Sequence, residues 1–217
     1  MKEKIIVSDF DGTITKKDTL STFLELYADK EWLVIEDKWV KVEIGSAECL
    51  QKQFDLVKDL SPELIDSFVE TMEIDDYFEE FNKVRLKNNI DFLILSDGLD
   101  YFINRILQKH GIKNVKIVSN HAEFKNGKFL ISFPNQNNDC KKHSGTCKCN
   151  IIKNLRQNYK EIYYIGDGTS DICVADKSDF LFAKSTLLDY CKKIGLNCIE
   201  FGTYKEVVNY DRLGFNI

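Results

Sequence analysis

Two acids stand one residue apart at the end of a short apolar run, Asp9 and Asp11 in KIIVSDFDGTIT, and a second acidic turn, Asp167 and Asp171 in IGDGTSD, ends another such run far along the chain. Like charges about 4 Å apart repel by about 4 kcal/mol at an effective dielectric near 20, so four such groups in one pocket demand a cation or shared protons. A hard divalent cation meets that demand. Mg²⁺ takes oxygen ligands, keeps several waters and binds through one or two carboxylates plus a substrate phosphate, so Asp9 and Asp167 with a backbone carbonyl at Asp11 would suffice. A calcium loop of the EF-hand type is excluded, because Gly12 falls at the fourth position instead of the sixth and no glutamate stands at the twelfth.

Two further segments carry groups that handle anions. Ser96, behind FLIL and ahead of Asp97 and Gly98, offers its hydroxyl and neighbouring backbone N–H groups at the start of a helix, where phosphate binds well. Lys148 opens a helix after a polar loop, and one lysine in such a pocket can neutralise both a phosphoryl oxygen and a carboxylate.

These groups need elements that bring them together. KIIVSDF, IDFLILSDG and EIYYIG read as buried strands ending in polar turns, LDYFINRILQKHG as an amphipathic helix closing at Gly111, and KCNIIKNLRQNY as another helix. NVKIVSN reads as a strand, HAEFKNGKFLISF as a hairpin turning at Asn126 and Gly127, and the tail as helices around Leu187 to Ile194 and after Gly202. Alternation of this kind predicts an α/β fold, a Rossmann-like parallel sheet covered on both faces, with its ligand beyond the carboxyl ends of the strands. Between the first two strands, apolar residues recur at helical spacing without a strand, Ser61 with Pro62 marks an N-cap, and Gly45 marks a break. The expected division is therefore a core of residues 1–15 and 87–217 with an all-helical cap of residues 16–86 inserted after the first strand. Trp32 and Trp39, seven apart on one helix, are expected in cap packing, and His110 and His121 in structural roles.

DFDGTIT, ILSDG, CKCNIIKNL and IGDGTSD, in that order, resemble the four motifs of the haloacid dehalogenase superfamily of phosphatases, and the helical insert resembles the cap of its phosphoserine-phosphatase-like branch. SDGLDYFI, NHAEF and the Cys-Lys pair before NIIKNL are most similar to phosphatases of methionine salvage, which act on methylthiopentenyl phosphates. The resemblance implies a Mg²⁺-dependent phosphomonoester hydrolase in which Asp9 is the nucleophile that becomes an aspartyl phosphate and Asp11 the general acid and base. It further implies metal ligation by Asp9, Asp167 and the Asp11 carbonyl, support of the metal waters and Lys148 by Asp171, and phosphoryl contacts from Thr13, Ser96 and Lys148, with Asp18 facing substrate from the cap side. Phosphoethanolamine and phosphocholine phosphatases share the GDG turn and a Cys before the lysine, and no cap arginine of the kind that phosphoserine-specific relatives use is identifiable. A noncatalytic metal- or redox-responsive module is the reading from another class.

Cys140, His143, Cys147 and Cys149 form C-x2-H-x3-C-x-C, three alternatives being a structural zinc site, a redox-labile pair and free thiols in a polar loop. The other four cysteines, Cys49, Cys173, Cys191 and Cys198, stand singly and read as free thiols. With 43% hydrophobic residues, 30% charged residues and only two prolines, the 217 residues have the composition of a globular protein, not of a disordered or fibrous one. A formal net charge of −5 argues against nucleic acid and for a small phosphorylated metabolite as the partner. The run from Met1 to Val7 is too short for a signal peptide and no apolar stretch approaches a membrane span, so the expectation is a cytoplasmic protein without membrane contact.

Overall fold

The computed structural model describes residues 1–126, 128–140 and 142–215. The chain runs β1 (Lys2–Ser8), then five helices, α1 (Thr19–Tyr27), α2 (Trp32–Val40), α3 (Ser46–Phe54), α4 (Pro62–Val69) and α5 (Phe78–Lys87). It continues as β2 (Asp91–Leu99), α6 (Asp100–Lys109), β3 (Lys116–Lys125), β4 (Lys128–Ser132), α7 (Lys148–Leu155), β5 (Tyr159–Gly166), β6 (Phe180–Ala183), α8 (Ser185–Ile194), β7 (Ile199–Glu200) and α9 (Tyr204–Val208). The strands form one sheet in the order β4-β3-β2-β1-β5-β6-β7. Every neighbouring pair is parallel except β3 with β4.

Along β1, β2, β5 and β6 the sheet is buried on both faces, which is why these strands read as unbroken apolar runs. Alternate residues of one strand enter different cores. Ile6, Phe92, Ile94, Tyr163, Ile165 and Phe182 pack into one, while Ile5, Val7, Leu93, Leu95, Ile162 and Tyr164 pack into the other. Strand register then sets the level at which each polar turn emerges. Ser8 pairs with Ile94 on one side and with Ile165 on the other, so the chain leaves β1, β2 and β5 at one height, at Asp9, near Ser96 and near Asp167.

The helical insert leaves and returns through a narrow neck. Thr15 bridges Ile74 in antiparallel fashion, Lys16 N donates to the Glu73 carbonyl (3.0 Å), and Asp75 N donates to the Ile14 carbonyl (2.8 Å). Helices α1 to α4 lie between these two passages, and α5 lies beyond them on the sheet, where Phe78 and Phe81 meet Phe92 and Tyr204. Local chemistry starts the insert's helices as expected. The Asp18 side chain accepts from Ser21 N (2.7 Å) to cap α1, and Ser61 Oγ accepts from Leu64 N (3.2 Å) ahead of Pro62 at the opening of α4. Gly45 caps α3, packed so closely on the loop before α7 that a Cβ would stand 2.3 Å from the His143 carbonyl oxygen.

Two features differ from expectation. The strand and the first arm of the hairpin are one continuous strand, β3, whose first half pairs with β2 and whose second half pairs with β4. Asn126 takes a left-handed φ of 52° at the turn, and Gly127 lies outside the described residues. A seventh strand, β7, is two residues long and too short to leave a period in the sequence.

An aromatic cluster ties the insert to the core. Phe23 of α1, fully buried, stands 5.1 Å from Phe68 of α4 and 5.1 Å from Phe102 of α6, ring centre to ring centre. Phe23→Ala removes the ring on which three helices converge, and urea unfolding should register a loss of about 3–5 kcal/mol with an unchanged m-value.

Candidate active site

A cavity of about 290 Å³ opens at the carboxyl ends of β1, β2 and β5, floored by Asp9, Asp11, Ser96 and Asp167 and walled by Asp18, Asp97 and Gly98 with residues of α1, α2 and α3. Behind the floor lies a buried ion cluster. Lys148, 2% exposed at the first turn of α7, places Nζ 2.8 Å from Asp9 Oδ1 and 2.7 Å from Asp171 Oδ1, and donates to Ser170 Oγ (3.1 Å). Burial works against the lysine's charge, but Asp171 and Asp9 outweigh it and raise the pKa, so Lys148 stays cationic.

Asp171 is fully satisfied where it stands. Its Oδ2 accepts from the backbone N–H groups of Asp167 and Gly168 (both 3.0 Å), and its Oδ1 accepts from Tyr164 (2.6 Å) as well as from Lys148. The acidic turn is thereby wrapped around a carboxylate that does not reach the cavity. Asp167 does reach it, and Thr13 Oγ1 donates to its Oδ1 at 2.6 Å. The Thr13 hydroxyl, expected on a phosphoryl oxygen, is thus engaged by a carboxylate in this structure.

Asp11 is held from two directions, by Thr19 N on Oδ1 (3.3 Å) and by the Ser96 hydroxyl on Oδ2 (3.2 Å), while Ser96 Oγ accepts from Gly98 N (2.8 Å). Burial, with Asp18 adding to it, pushes the Asp11 pKa up to about 7. Burial first and Asp171 second also lift Asp9 well above the usual carboxylate range, and burial lifts Asp167 to about 6. Asp97, on the cavity wall, accepts from Thr146 N (2.8 Å) and Asn120 Nδ2 (3.0 Å) and so braces the loop before α7. Three glycines let these acids approach. A Cβ on Gly12 would stand 2.6 Å from Asp167 Oδ2, one on Gly98 2.5 Å from Asp11 Oδ2, and one on Gly166 2.5 Å from Asp171 Oδ2.

The acids suit a hard cation. Asp9, Asp167 and Asp171 bring ligand oxygens within 4.8 Å of one another, and repulsion from Asp171 adds to the burial that raises Asp9 and Asp167, a burden that an added positive charge relieves. No other His, Cys, Asp or Glu group among the described residues gathers so closely. Of the three alternatives for the cysteine loop, a zinc site finds no support among the described residues. Cys147 faces Cys140, whereas Cys149 Sγ turns to the Cys173 carbonyl at 3.1 Å, so the thiols diverge, and all seven cysteines are free.

The structure also adds groups that the sequence did not single out. Trp39, expected in packing, lines the cavity, as do Glu36, Cys49 and Gln53. The available signal was Gln53, a polar residue at the spacing of the buried face of α3, one turn from Cys49. Ser46 Oγ accepts from Gly145 N (2.8 Å), joining the insert to the loop that carries Lys148. His110 and His121 hold the main chain of Met72 (3.0 Å) and the carboxylate of Asp100 (2.7 Å), away from the cavity. Among the described residues no helix is long and apolar enough to cross a membrane.

Residues 4–187 match the family described as Putative Phosphatase. Two curated relatives are named 2-hydroxy-3-keto-5-methylthiopentenyl-1-phosphate phosphatase. One, from Bacillus pumilus, is 35% identical over 94% of this chain and 89% of its own length. The other, from Bacillus velezensis, is 32% identical over 94% of this chain and 87% of its own length. Among solved structures, a phospho-aspartyl intermediate analogue of phosphoserine phosphatase superposes with a TM-score of 0.70 at 20% identity, covering 97% of this chain and 99% of that one, a likeness of fold.

The raised acids set the sign of a pH effect. Asp11 and Asp167 hold protons in the folded chain up to about pH 7 and about pH 6, while an unfolded Asp releases its proton near 3.9. Between those limits the folded state binds more protons, so stability falls as pH rises. Calorimetry in EDTA should therefore give a lower Tm at pH 8 than at pH 5, and added Mg²⁺ should raise Tm more at pH 8. A metal-free Tm that climbs over this range contradicts the assignment.

Proposed function

We propose, from the premise that this chain belongs to the Putative Phosphatase family and is a phosphomonoester hydrolase of the haloacid dehalogenase type, that it cleaves a small phosphorylated metabolite by way of Asp9. One observation carries the reading. Asp9 stands on the cavity floor with one oxygen held by Lys148 at 2.8 Å, and the acid two residues on, Asp11, has a pKa near 7. A carboxylate oriented in this way is a nucleophile, and an acid that titrates near neutrality can both give and take a proton.

The second oxygen of Asp9 attacks phosphorus while the bond from phosphorus to the ester oxygen breaks, and Asp11 hands its proton to the departing alcohol. The Asp11 carboxylate then takes a proton from water as that water attacks phosphorus, the bond to Asp9 breaks, and inorganic phosphate leaves with both acids restored. Lys148 fixes Asp9 during the first step and offsets negative charge during both. Ser96, accepting from Gly98 N and donating to Asp11, orients the proton donor, and its hydroxyl must turn from Asp11 to reach a phosphoryl oxygen. Asp171 has no direct part and locks Lys148 and the turn at Asp167. Asp9 and Asp167, with the carbonyl of Asp11, are the groups that would hold Mg²⁺, which when bound supplies charge neutralisation of the phosphoryl group.

For the substrate, the names of the curated relatives support 2-hydroxy-3-keto-5-methylthiopentenyl 1-phosphate, a methionine-salvage ester. Leu20, Leu24, Leu50 and Trp39 on the cavity wall suit its thioether tail. Asp9→Asn keeps the shape of the side chain and removes its charge, so phosphate release from this ester and from an aryl phosphate should fall by at least about 1,000-fold in a malachite-green assay. EDTA should stop wild-type turnover and Mg²⁺ restore it, whereas an Asp9→Asn variant as fast as wild type would rule out the nucleophile.

A further inference from the structure

The part of the cavity away from the acids of the floor is lined by Glu36 and Trp39 of α2 and by Cys49, Leu50 and Gln53 of α3. Its polar group is a built one. Gln53, 3% exposed, donates Nε2 to Glu36 Oε2 at 2.8 Å, and the Cys49 thiol approaches the same oxygen at 3.8 Å. Both donors use Oε2, so they set the direction of the carboxylate and neither occupies Oε1.

The charge around this group is of one sign. Among the described residues that line the cavity there is no lysine, arginine or histidine, whereas Asp11, Asp18 and Asp97 line it together with Glu36. Lys148, the cation nearest the floor, is already paired with Asp9 and Asp171. A ligand whose tail carries a carboxylate would bring it against Glu36 with no counter-charge, a juxtaposition that costs far more in a confined, partly dry space than in water. A tail carrying a hydroxyl has a donor to offer, and the leucines and Trp39 beside Glu36 cover its apolar remainder.

We infer that Glu36, oriented by Gln53, is a specificity-determining residue, accepting a hydrogen bond from the hydroxyl of a neutral phosphate ester and rejecting esters whose tails bear a carboxylate. The inference rests on the phosphatase reading above and adds the group that chooses among phosphate esters. Gln53 acts through Glu36 and is a positioning residue.

The test is a ratio, which cancels any loss of folded enzyme. Steady-state kcat/KM is measured for 2-hydroxy-3-keto-5-methylthiopentenyl 1-phosphate, phosphoserine and phosphoethanolamine with the wild type, Glu36→Gln and Gln53→Leu. The preference for the hydroxyketo ester over phosphoserine should fall by at least about tenfold in Glu36→Gln, the scale of one hydrogen bond to a charged group. That fall should come from a higher KM for the first ester and a lower KM for the second, and Gln53→Leu should move the ratio the same way by a smaller factor. A ratio that stays within twofold of wild type in both variants overturns the inference and leaves the phosphatase reading standing. A wild-type preference for phosphoethanolamine that Glu36→Gln abolishes overturns the neutral tail, and a wild type that releases phosphate from no ester overturns both readings.

Discussion

One buried cation organises this protein's chemistry. Lys148 sits between Asp9 and Asp171 with no access to bulk water, and its two carboxylate partners come from the ends of two different strands. Removing one member of such a cluster strands a charge in a low-dielectric interior, at a cost of about 3–5 kcal/mol. The geometry follows from that constraint. Helix α7 must begin where it does, β1 and β5 must end at one level, and the turn after β5 must fold its backbone N–H groups onto Asp171.

The cluster leaves a surplus of negative charge, and the surplus is distributed unevenly. Asp171 is neutralised by lysine, tyrosine and two amides, whereas Asp9, Asp11 and Asp167 line the cavity with their proton affinities raised. A site made this way is electrostatically uncomfortable when empty. That discomfort is what a bound cation would relieve, so the same desolvation that destabilises the chain prepares it for a positive charge.

The parallel centre of the sheet was legible because both faces of β1, β2, β5 and β6 are buried, which turns each of these strands into an apolar run. Asp9, Asp11, Ser96 and Asp167 were found for the same reason, since strand ends point to one crevice. Other features obey rules that a linear reading lacks. Trp39 has the spacing of a packing residue, and only the closing of α2 and α3 over the floor makes it part of a wall. Thr13 is a hydroxyl one residue beyond a glycine, and nothing along the chain reveals that Asp167 lies within its reach. The cysteine loop, left open among three alternatives, obeys the same limit. Cys147 and Cys149 are close in sequence, yet residues two apart at the opening of α7 do not face each other, and each turns to a different neighbour.

The glycines packed against the acids carry a consequence for inheritance. Gly12, Gly98 and Gly166 lie in three separate segments, and each borders a different carboxylate of the site. A change of one nucleotide turns a glycine codon into one for alanine, adding a single methyl group where no space exists and leaving composition, charge and hydropathy almost untouched. At each of the three, that one methyl group must displace the carboxylate it meets, so the placement of the acids hangs on three single codon positions.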